Sequence, residues 1–582
     1  MNKVISTKEQ DFSPEGSKVY PHLLPNMEDW PIYKLHADRK RFIEEIDEHT
    51  FNKISEQYGS QLADVIAKTV YLERIRMKED PWKVDPPNDP AFWRRINSRL
   101  FSLPPTASPE EIQANAEELL RIVIHRYSEE IVATFKTGTF KFARHFLTFF
   151  FNRLLNTAAG RNMRRIYGTR HKVYERLLTF GEIEKLRSLM TRGTVVIVPT
   201  HSSNLDSILI GYAIDTILGL PAFSYGAGLN LYNTGYTAYF MNRLGAYRVD
   251  RRKKNPIYLE TLKSMSCLAI QRGTNTIFFP GGTRSRSGAL ESKLKMGLLG
   301  TTVEAQRALY QQGKDTKVFI VPLVLSYHVV LEAKFLIEQY LSQIGKERYV
   351  RSKDDFYSFR KLMKFAWNFF SQPSEITLSF GKPMDVLGNF VDEQGVSYDR
   401  FGRPVKLREY FMANGQINRD TQREMEYTTI LAQRIVDRYH KENIVLSSHV
   451  VAYVAFKLLQ RAYPQLDLFG LLRLPPEEVV FPLDTVLSTI EQFQQVLKDF
   501  ESRGRLKLSR QIHWNAMELL RNGLRNLGTY HVNKPLIFKD DKSLASQDLK
   551  LLYFYHNRLD NYPFTEHMDF KRLTGKQMES VA

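Results

Sequence analysis

Apolar positions in the first 170 residues recur at helical spacing. Ala37–Lys78 and Pro109–Thr134 are rich in Glu, Arg, Leu and Ile, and proline-rich breaks at Pro81–Pro90 and Leu103–Pro109 separate them. In "ASPEEIQ", Ser108 reads as an N-cap, Pro109 as the first helical residue, and Glu110 and Glu111 as an acidic first turn, which predicts a helix start. The pattern then changes. Short β-branched or aromatic runs at Thr194–Val198, Asn275–Phe279, Lys317–Leu325 and Ile376–Phe380 predict strands. Asn204–Leu218, Pro256–Gln271 and Lys295–Leu309 predict helices between them. Strands alternating with helices imply an α/β fold with a central, mostly parallel sheet flanked by helices. After the last strand, "GNFVDEQGVSYDRFGRPV" predicts a loop or hairpin. Beyond Asn443 helical patterning returns, punctuated by Pro475, Pro476 and Pro482. The expected organisation is a helical region over residues 1–172, an α/β unit over 173–442 and a helical region over 443–582.

The stretch "FKFARHFLTFFFNRLLN", Phe140 to Asn156, has a distinct pattern. At helical period Phe142, Phe146, Phe149, Phe150 and Leu154 share a face, widened by Leu147, Phe151 and Leu155. Lys141, Arg144, His145, Thr148, Asn152 and Asn156 lie opposite, and Arg161, Arg164 and Arg165 follow. Aromatics set against cations suit a helix lying in a membrane interface. The periodicity alone fits a helix packed on the core equally well. No window reaches the ~20 apolar residues of a membrane span. Val318–Leu331 and Ile444–Leu459 are interrupted by Ser, His or Lys and predict a buried strand and a buried helix. "MNKVISTKEQDFSPEGSK" has no apolar or Arg-rich targeting pattern, so no signal peptide is expected.

Composition narrows the partners. With 43% hydrophobic and 25% charged residues the chain reads as globular, and its net charge of +18 favours an anionic partner. Nucleic acid, an anionic membrane surface, an acidic carrier and phosphorylated substrates all qualify. Cys267 is the single cysteine, which excludes an intramolecular disulfide and a multi-cysteine metal site.

Three stretches carry candidate chemistry. In "VPTHSSNLD", His201 follows a strand and Asp206 comes five positions later, with "SSNLD" offering N-cap residues before an apolar helix. That places His201 at the carboxyl end of a strand, where open α/β sheets bind ligands, and lets Asp206 reach an imidazole nitrogen. A polar loop before a capped helix has the same pattern. A serine hydrolase using Ser202 or Ser203 ranks lower, because no G-x-S-x-G elbow occurs. In "FFPGGTRSRSG", Gly281 and Gly282 permit close backbone approach, and Arg284 and Arg286 put two guanidiniums on one face of an extended segment, which suits a phosphate; a solvated turn with two surface arginines has the same pattern. The P-loop spacing is absent. In "GAYRVDRRKKN", the cations Arg251–Lys254 read as a solvated face or an anion-binding patch.

Taken in order, these stretches resemble the blocks of the glycerol-3-phosphate acyltransferase family, within the glycerophospholipid acyltransferase superfamily. His201 and Asp206 match H-x-x-x-x-D, "GAYRVDR" matches G-x-x-x-[IV]-x-R, and "GGTRSRSG" matches the block with two arginines. "IVPLVLSYHVVLE", with Pro322, matches the hydrophobic strand that carries a proline, and "ITLSFGKPM" is similar to the strand closing the catalytic domain. "LLYFYHNRL" and the long helical flanks look like those of the larger members. Gly281 stands where many members have glutamate, which leaves that residue's role unfilled.

The resemblance implies acyl transfer from acyl-CoA or acyl carrier protein to the sn-1 hydroxyl of glycerol 3-phosphate, with no metal or cofactor. His201 would be the general base and Asp206 its orienting partner. Arg284 and Arg286, with Arg251 and Lys295, would hold the phosphate. Gly282, Ser285 and Pro322 complete the expected substrate-binding set, and backbone N–H groups near Gly281–Gly282 are candidate oxyanion donors. A peripheral position on the cytoplasmic face of an anionic membrane is expected, and no nucleic acid. The alternatives are the same chemistry on dihydroxyacetone phosphate or lysophosphatidate, and a membrane-binding relative whose catalytic blocks have decayed.

Overall fold

The computed structural model describes residues 18–104, 106–158, 177–232, 235–345, 375–475, 479–529 and 531–568. Its N-terminal helices are α1 (Pro31–Ala37), α2 (Arg39–Tyr58), α3 (Leu62–Glu79), α4 (Asp89–Leu100), α5 (Pro109–Ile131) and α6 (Thr137–Ala158). The pattern over Ala37–Lys78 divides into α2 and α3 at a 3₁₀ turn, Gly59–Gln61. Ser108 caps α5 as predicted: its hydroxyl accepts from Glu111 N while the Glu111 carboxylate accepts from Ser108 N.

A seven-stranded sheet follows, in the order β1-β7-β6-β2-β5-β3-β4. The strands are β1 (Leu177–Gly181), β2 (Gly193–Pro199), β3 (Ser224–Gly228), β4 (Ala246–Val249), β5 (Thr276–Ile277), β6 (Lys317–Tyr327) and β7 (Ile376–Phe380). β2 to β6 run parallel, so their carboxyl ends share one rim. β7 is antiparallel to β6 and sits inside the sheet, with β1 on its other side. Buried on both faces, β2 and β6 have the near-continuous apolar runs of covered parallel strands.

The helices of this layer are α7 (Ile183–Leu189), α8 (Asp206–Tyr212), α9 (Gly235–Met241), α10 (Pro256–Gln271), α11 (Met296–Gln311) and α12 (Ala333–Ile344). The predicted helix Asn204–Leu218 is shorter at its start and ends in a π-helical turn, Ala213–Ile217. Its N-cap position is held by Leu205, which makes no side-chain cap, and not by Ser202, Ser203 or Asn204. The "GNFVDEQGVSYDRFGRPV" insert forms three short antiparallel strands, Phe390–Val391, Ser397–Tyr398 and Pro404–Val405.

The C-terminal helices are α13 (Thr421–Glu442), α14 (Ser447–Ala462), α15 (Leu468–Leu472), α16 (Leu483–Ser502), α17 (Ala516–Asn526) and α18 (Leu549–Asp560). They share one hydrophobic core with the sheet: Val196, Ile320 and Leu378 join Phe456, Phe493 and Leu552 in it. The N-terminal helices build a second core, where Phe42, Trp93 and Leu120 pack with Tyr258, Leu262 and Met265 of α10.

Two sequence expectations change on folding. Only Arg251 and Lys254 of the basic run are exposed. Arg252 pairs with Asp85 and Asp250, and the buried Lys253 pairs with Glu130, so these cations tie the α/β unit to the N-terminal helices. In α6, Arg144 does not face solvent with Lys141 and His145: it forms a bidentate pair with Asp215 at 2.7 and 2.6 Å. Leu147 packs against the main core on the same side, leaving Phe142 and Phe149 58% and 62% exposed. Arg161, Arg164 and Arg165 lie outside the described residues. Among the described residues no helix is long and apolar enough to cross a membrane.

Candidate active site

The carboxyl ends of β2, β5 and β6 converge on His201. Thr200 N donates to Leu323 O at 2.9 Å and Thr200 Oγ1 accepts from Leu325 N at 3.2 Å, so the chain leaves β2 still held to β6. Both polar main-chain groups of His201 are then bound by the segment after β5. Its N–H donates to Glu291 Oε1 and its carbonyl accepts from Ser285 N, each at 2.7 Å. The ring stacks on Phe279 with centroids 4.2 Å apart.

Asp206, at the first position of α8, is fully buried and accepts four hydrogen bonds. Oδ2 takes His201 Nδ1 at 2.8 Å, Ser202 N at 2.7 Å and Ser203 N at 3.0 Å, while Oδ1 takes the Tyr327 hydroxyl at 2.5 Å. Four donors fix the direction in which the carboxylate points. With Nδ1 donating to it, Nε2 is the ring nitrogen left with a lone pair. Burial, and then the Asp206 charge, push the Tyr327 phenol well above its ordinary value, so it remains a donor.

Glu332, the last residue of "IVPLVLSYHVVLE", accepts from Ser203 Oγ and Asn204 N, each at 3.1 Å. Its Oε1 lies 3.4 Å from Arg284 Nη1, so one buried carboxylate joins the His201 loop to the first arginine. Burial raises its carboxyl above the ordinary range, opposed by Arg284. The bond to Glu332 removes Ser203 as a nucleophile, since its hydroxyl is already donated away from His201. Glu291 is half-buried, and desolvation pushes its carboxyl up to about 7.

The remaining predicted residues divide. Lys295 lies over Gly282, where a Cβ would meet its Nζ at 3.0 Å, and Gly282 adopts φ +77°, a conformation suited to glycine. Gly282 N donates to Phe279 O at 3.0 Å, so that N–H serves the turn and is not a free oxyanion donor. The Ser285 hydroxyl donates to Ala289 O at 2.6 Å, so both its side chain and its N–H organise the loop. Arg284 and Arg286 are half-buried in that loop. Pro322 is buried within β6 opposite Val198, and its carbonyl accepts from Gly381 N at 2.8 Å; it shapes the sheet and does not line the site. Arg251 follows β4 on the same rim, three strands from β2 and so roughly 14 Å away at ordinary strand spacing.

The C-terminal helix α18 braces this arrangement. Asn557 Nδ2 donates to Ser287 O at 2.9 Å, and Asn561 Nδ2, just past the helix, donates to Leu290 O at 3.2 Å. A side chain at Gly288 (φ +85°) would strike Phe554 O at 2.2 Å, so only glycine lets α18 approach. Arg558 is buried, donating to Leu325 O, Ser326 Oγ and Asn443 Oδ1 at 2.7, 3.2 and 3.0 Å. Tyr327, Glu332, Glu291, Phe279 and Arg558 were not among the residues singled out in the sequence. Tyr327, Glu332 and Arg558 stand within quoted blocks, where a polar residue in an apolar run was the available signal.

Residues 178–326, which contain β2, the His201 loop, the arginine loop and most of β6, match the family model described as Acyltransferase. The chain is similar to proteins named glycerol-3-phosphate acyltransferase. That of Aeromonas hydrophila is 27% identical over 281 residues, covering 47% of this chain and 30% of the relative. That of Alteromonas mediterranea is 26% identical over 271 residues, covering 46% and 28%. That of Shewanella loihica is 24% identical over 381 residues, covering 62% and 40%. The chain thus spans less than half the length of these curated relatives. With its His–Asp pair and its glycine–arginine loop meeting on the rim of a mostly parallel sheet, the chain carries an acyltransferase domain over residues 178–326 and is similar around it to proteins named glycerol-3-phosphate acyltransferase.

Proposed function

We propose that this protein transfers a fatty acyl group from an acyl thioester, acyl-CoA or acyl-carrier-protein, to the sn-1 hydroxyl of glycerol 3-phosphate, giving lysophosphatidate. The observation that carries the reading is the His201 Nδ1–Asp206 bond, made on a loop whose carbonyl is tied to the arginine loop by Ser285 N. Nε2 takes the hydroxyl proton as the oxygen attacks the thioester carbonyl. The tetrahedral intermediate collapses with cleavage of the C–S bond, and the departing thiolate recovers the proton from the imidazolium. Arg284 and Arg286, with Lys295 and Arg251, hold the phosphate so that the hydroxyl meets Nε2; positioning and a general base suffice. An apolar cavity lined by Leu147, Ile208, Phe223, Tyr225 and Phe279 lies beside the histidine and suits the acyl chain. Purified protein given glycerol 3-phosphate and each thioester type should form lysophosphatidate with at least one of them. No product from either sinks the proposal, and faster turnover of dihydroxyacetone phosphate or lysophosphatidate reassigns the acceptor.

Arg284→Ala should raise the KM for glycerol 3-phosphate by about ten- to a hundredfold, the weight of a charge-assisted contact, with a smaller change in kcat. Because Glu332 is buried beside Arg284, the unfolding midpoint is measured alongside. An unchanged KM removes the phosphate assignment.

The reading includes peripheral attachment to the cytoplasmic face of an anionic membrane. The outward aromatics of α6, Phe142, Phe146 and Phe149, flanked by exposed Lys141 and His145, support it. Phe146→Glu with Phe149→Glu should cut cosedimentation with anionic vesicles at least about tenfold, the transfer energy of two phenyl rings being ample, while the unfolding midpoint holds. Unchanged cosedimentation would refute attachment through this face.

A further inference from the structure

We propose that Glu291 is a positioning residue for His201, admitted to the site by the bare backbone of Gly281; its kinetic test rests on the acyl-transfer reading above. Glu291 Oε1 accepts the His201 N–H at 2.7 Å from a residue 90 positions away. A Cβ on Gly281 would lie 3.0 Å from Glu291 Cγ and 3.4 Å from its Oε1, so the two positions share one space. Gly281 is not among the residues with positive φ, so its backbone does not need glycine. What the glycine provides is room. The block with glycine at position 281 thus receives a carboxylate from ten residues further along.

The geometry gives that carboxylate a task. Ser285 N binds the carbonyl of His201 and Glu291 binds its N–H, so one loop grips both sides of the base's main chain. That loop also carries Arg284 and Arg286. Two hydrogen bonds therefore set the distance between the base and the phosphate-binding arginines. Removing one lets the His201 peptide turn, and a displacement of about 1 Å at a reacting group costs up to about a hundredfold in rate. The charged and titratable groups facing Glu291 are Arg558 of α18, Asp206 of α8 and Tyr439 of α13.

Four proteins test this: wild type, Glu291→Ala, Gly281→Glu, and the double variant. Glu291→Ala should lower kcat about ten- to a hundredfold while the KM for glycerol 3-phosphate stays within about threefold. Gly281→Glu alone collides with Glu291 and should also be impaired. The double variant supplies the carboxylate from position 281 and should recover kcat to within about threefold of wild type. Unimpaired Glu291→Ala, or a double variant no better than it, overturns the proposal. Glu291→Gln keeps an oxygen for the His201 N–H and should retain about a third of kcat or more; a fall as deep as alanine's also overturns it. Two further measurements need no turnover, so they separate this proposal from the functional reading. The unfolding midpoint of the double variant should exceed that of Glu291→Ala. The His201 ring resonance in histidine-labelled protein, assigned with His201→Gln, should shift in Glu291→Ala and return in the double variant. An unmoved resonance counts against Glu291 even in a protein that transfers no acyl group.

Discussion

His201→Ala should lower turnover at least about a thousandfold, the upper part of the range for removing a positioned general base. The imidazole is 15% exposed, with Nδ1 committed to Asp206, so Nε2 is the ring nitrogen left to serve as the proposed base. No neighbouring side chain replaces it: Ser203 donates to Glu332, and Tyr327 donates to Asp206. Asp206→Asn should be nearly as severe. An amide can present N–H to Nδ1, which moves the ring proton to Nε2 and removes the lone pair needed there. It also weakens the acceptor for Ser202 N, Ser203 N and the Tyr327 hydroxyl. Initial rates with saturating thioester and glycerol 3-phosphate, beside unfolding midpoints, check both variants. His201→Ala retaining more than about a tenth of the wild-type rate would remove the base from the mechanism.

What could be read from the chain follows from the range over which each feature is specified. The His201–Asp206 pair was legible because a strand end and the next helix turn bring them together within five residues. β2, β6 and α10 were legible because burial on both faces leaves continuous apolar runs, and Asn255 and Pro256 open α10. β3, "SYGAG", offers no such run, and β4 is a four-residue edge strand whose signal is lost among cations. That β7 runs antiparallel inside the sheet is a property of pairing, invisible to periodicity. The inward turn of Arg144 required knowing that Asp215 would lie beneath α6. Within the site, Tyr327 reaches Asp206 across 121 positions and Glu291 reaches His201 across 90. Such partners are specified by the topology of the sheet, and no local spacing records them.

Arg558→Ala should destabilise the whole chain by about 3 kcal/mol or more, the cost of removing one partner from a buried charged cluster. The guanidinium is enclosed at 7% exposure and comes from α18, 233 positions beyond the strand residue whose carbonyl it binds. It donates to the carbonyl of Leu325 in β6 and to Asn443 ahead of α14, joining strand to helices at the rim where Asp206 and Glu291 sit. Alanine removes a donor from the Leu325 carbonyl and the nearer donor from Asn443 Oδ1, and takes the nearby cation from the buried Asp206 and the half-buried Glu291. Both losses act in the same direction. Arg558→Lys keeps a charge but not the planar fork, and one ammonium cannot reproduce the separate Nε and Nη2 bonds, so its loss should be intermediate. Chemical denaturation of the full chain measures all three proteins. A midpoint for Arg558→Ala within about 0.5 kcal/mol of wild type, an ordinary surface effect, would show that α18 is an accessory to the α/β layer. The expected loss would instead show that the rim carrying His201 is completed by the C-terminal helix, because Asn557, Asn561 and Gly288 already commit the arginine loop to its surface.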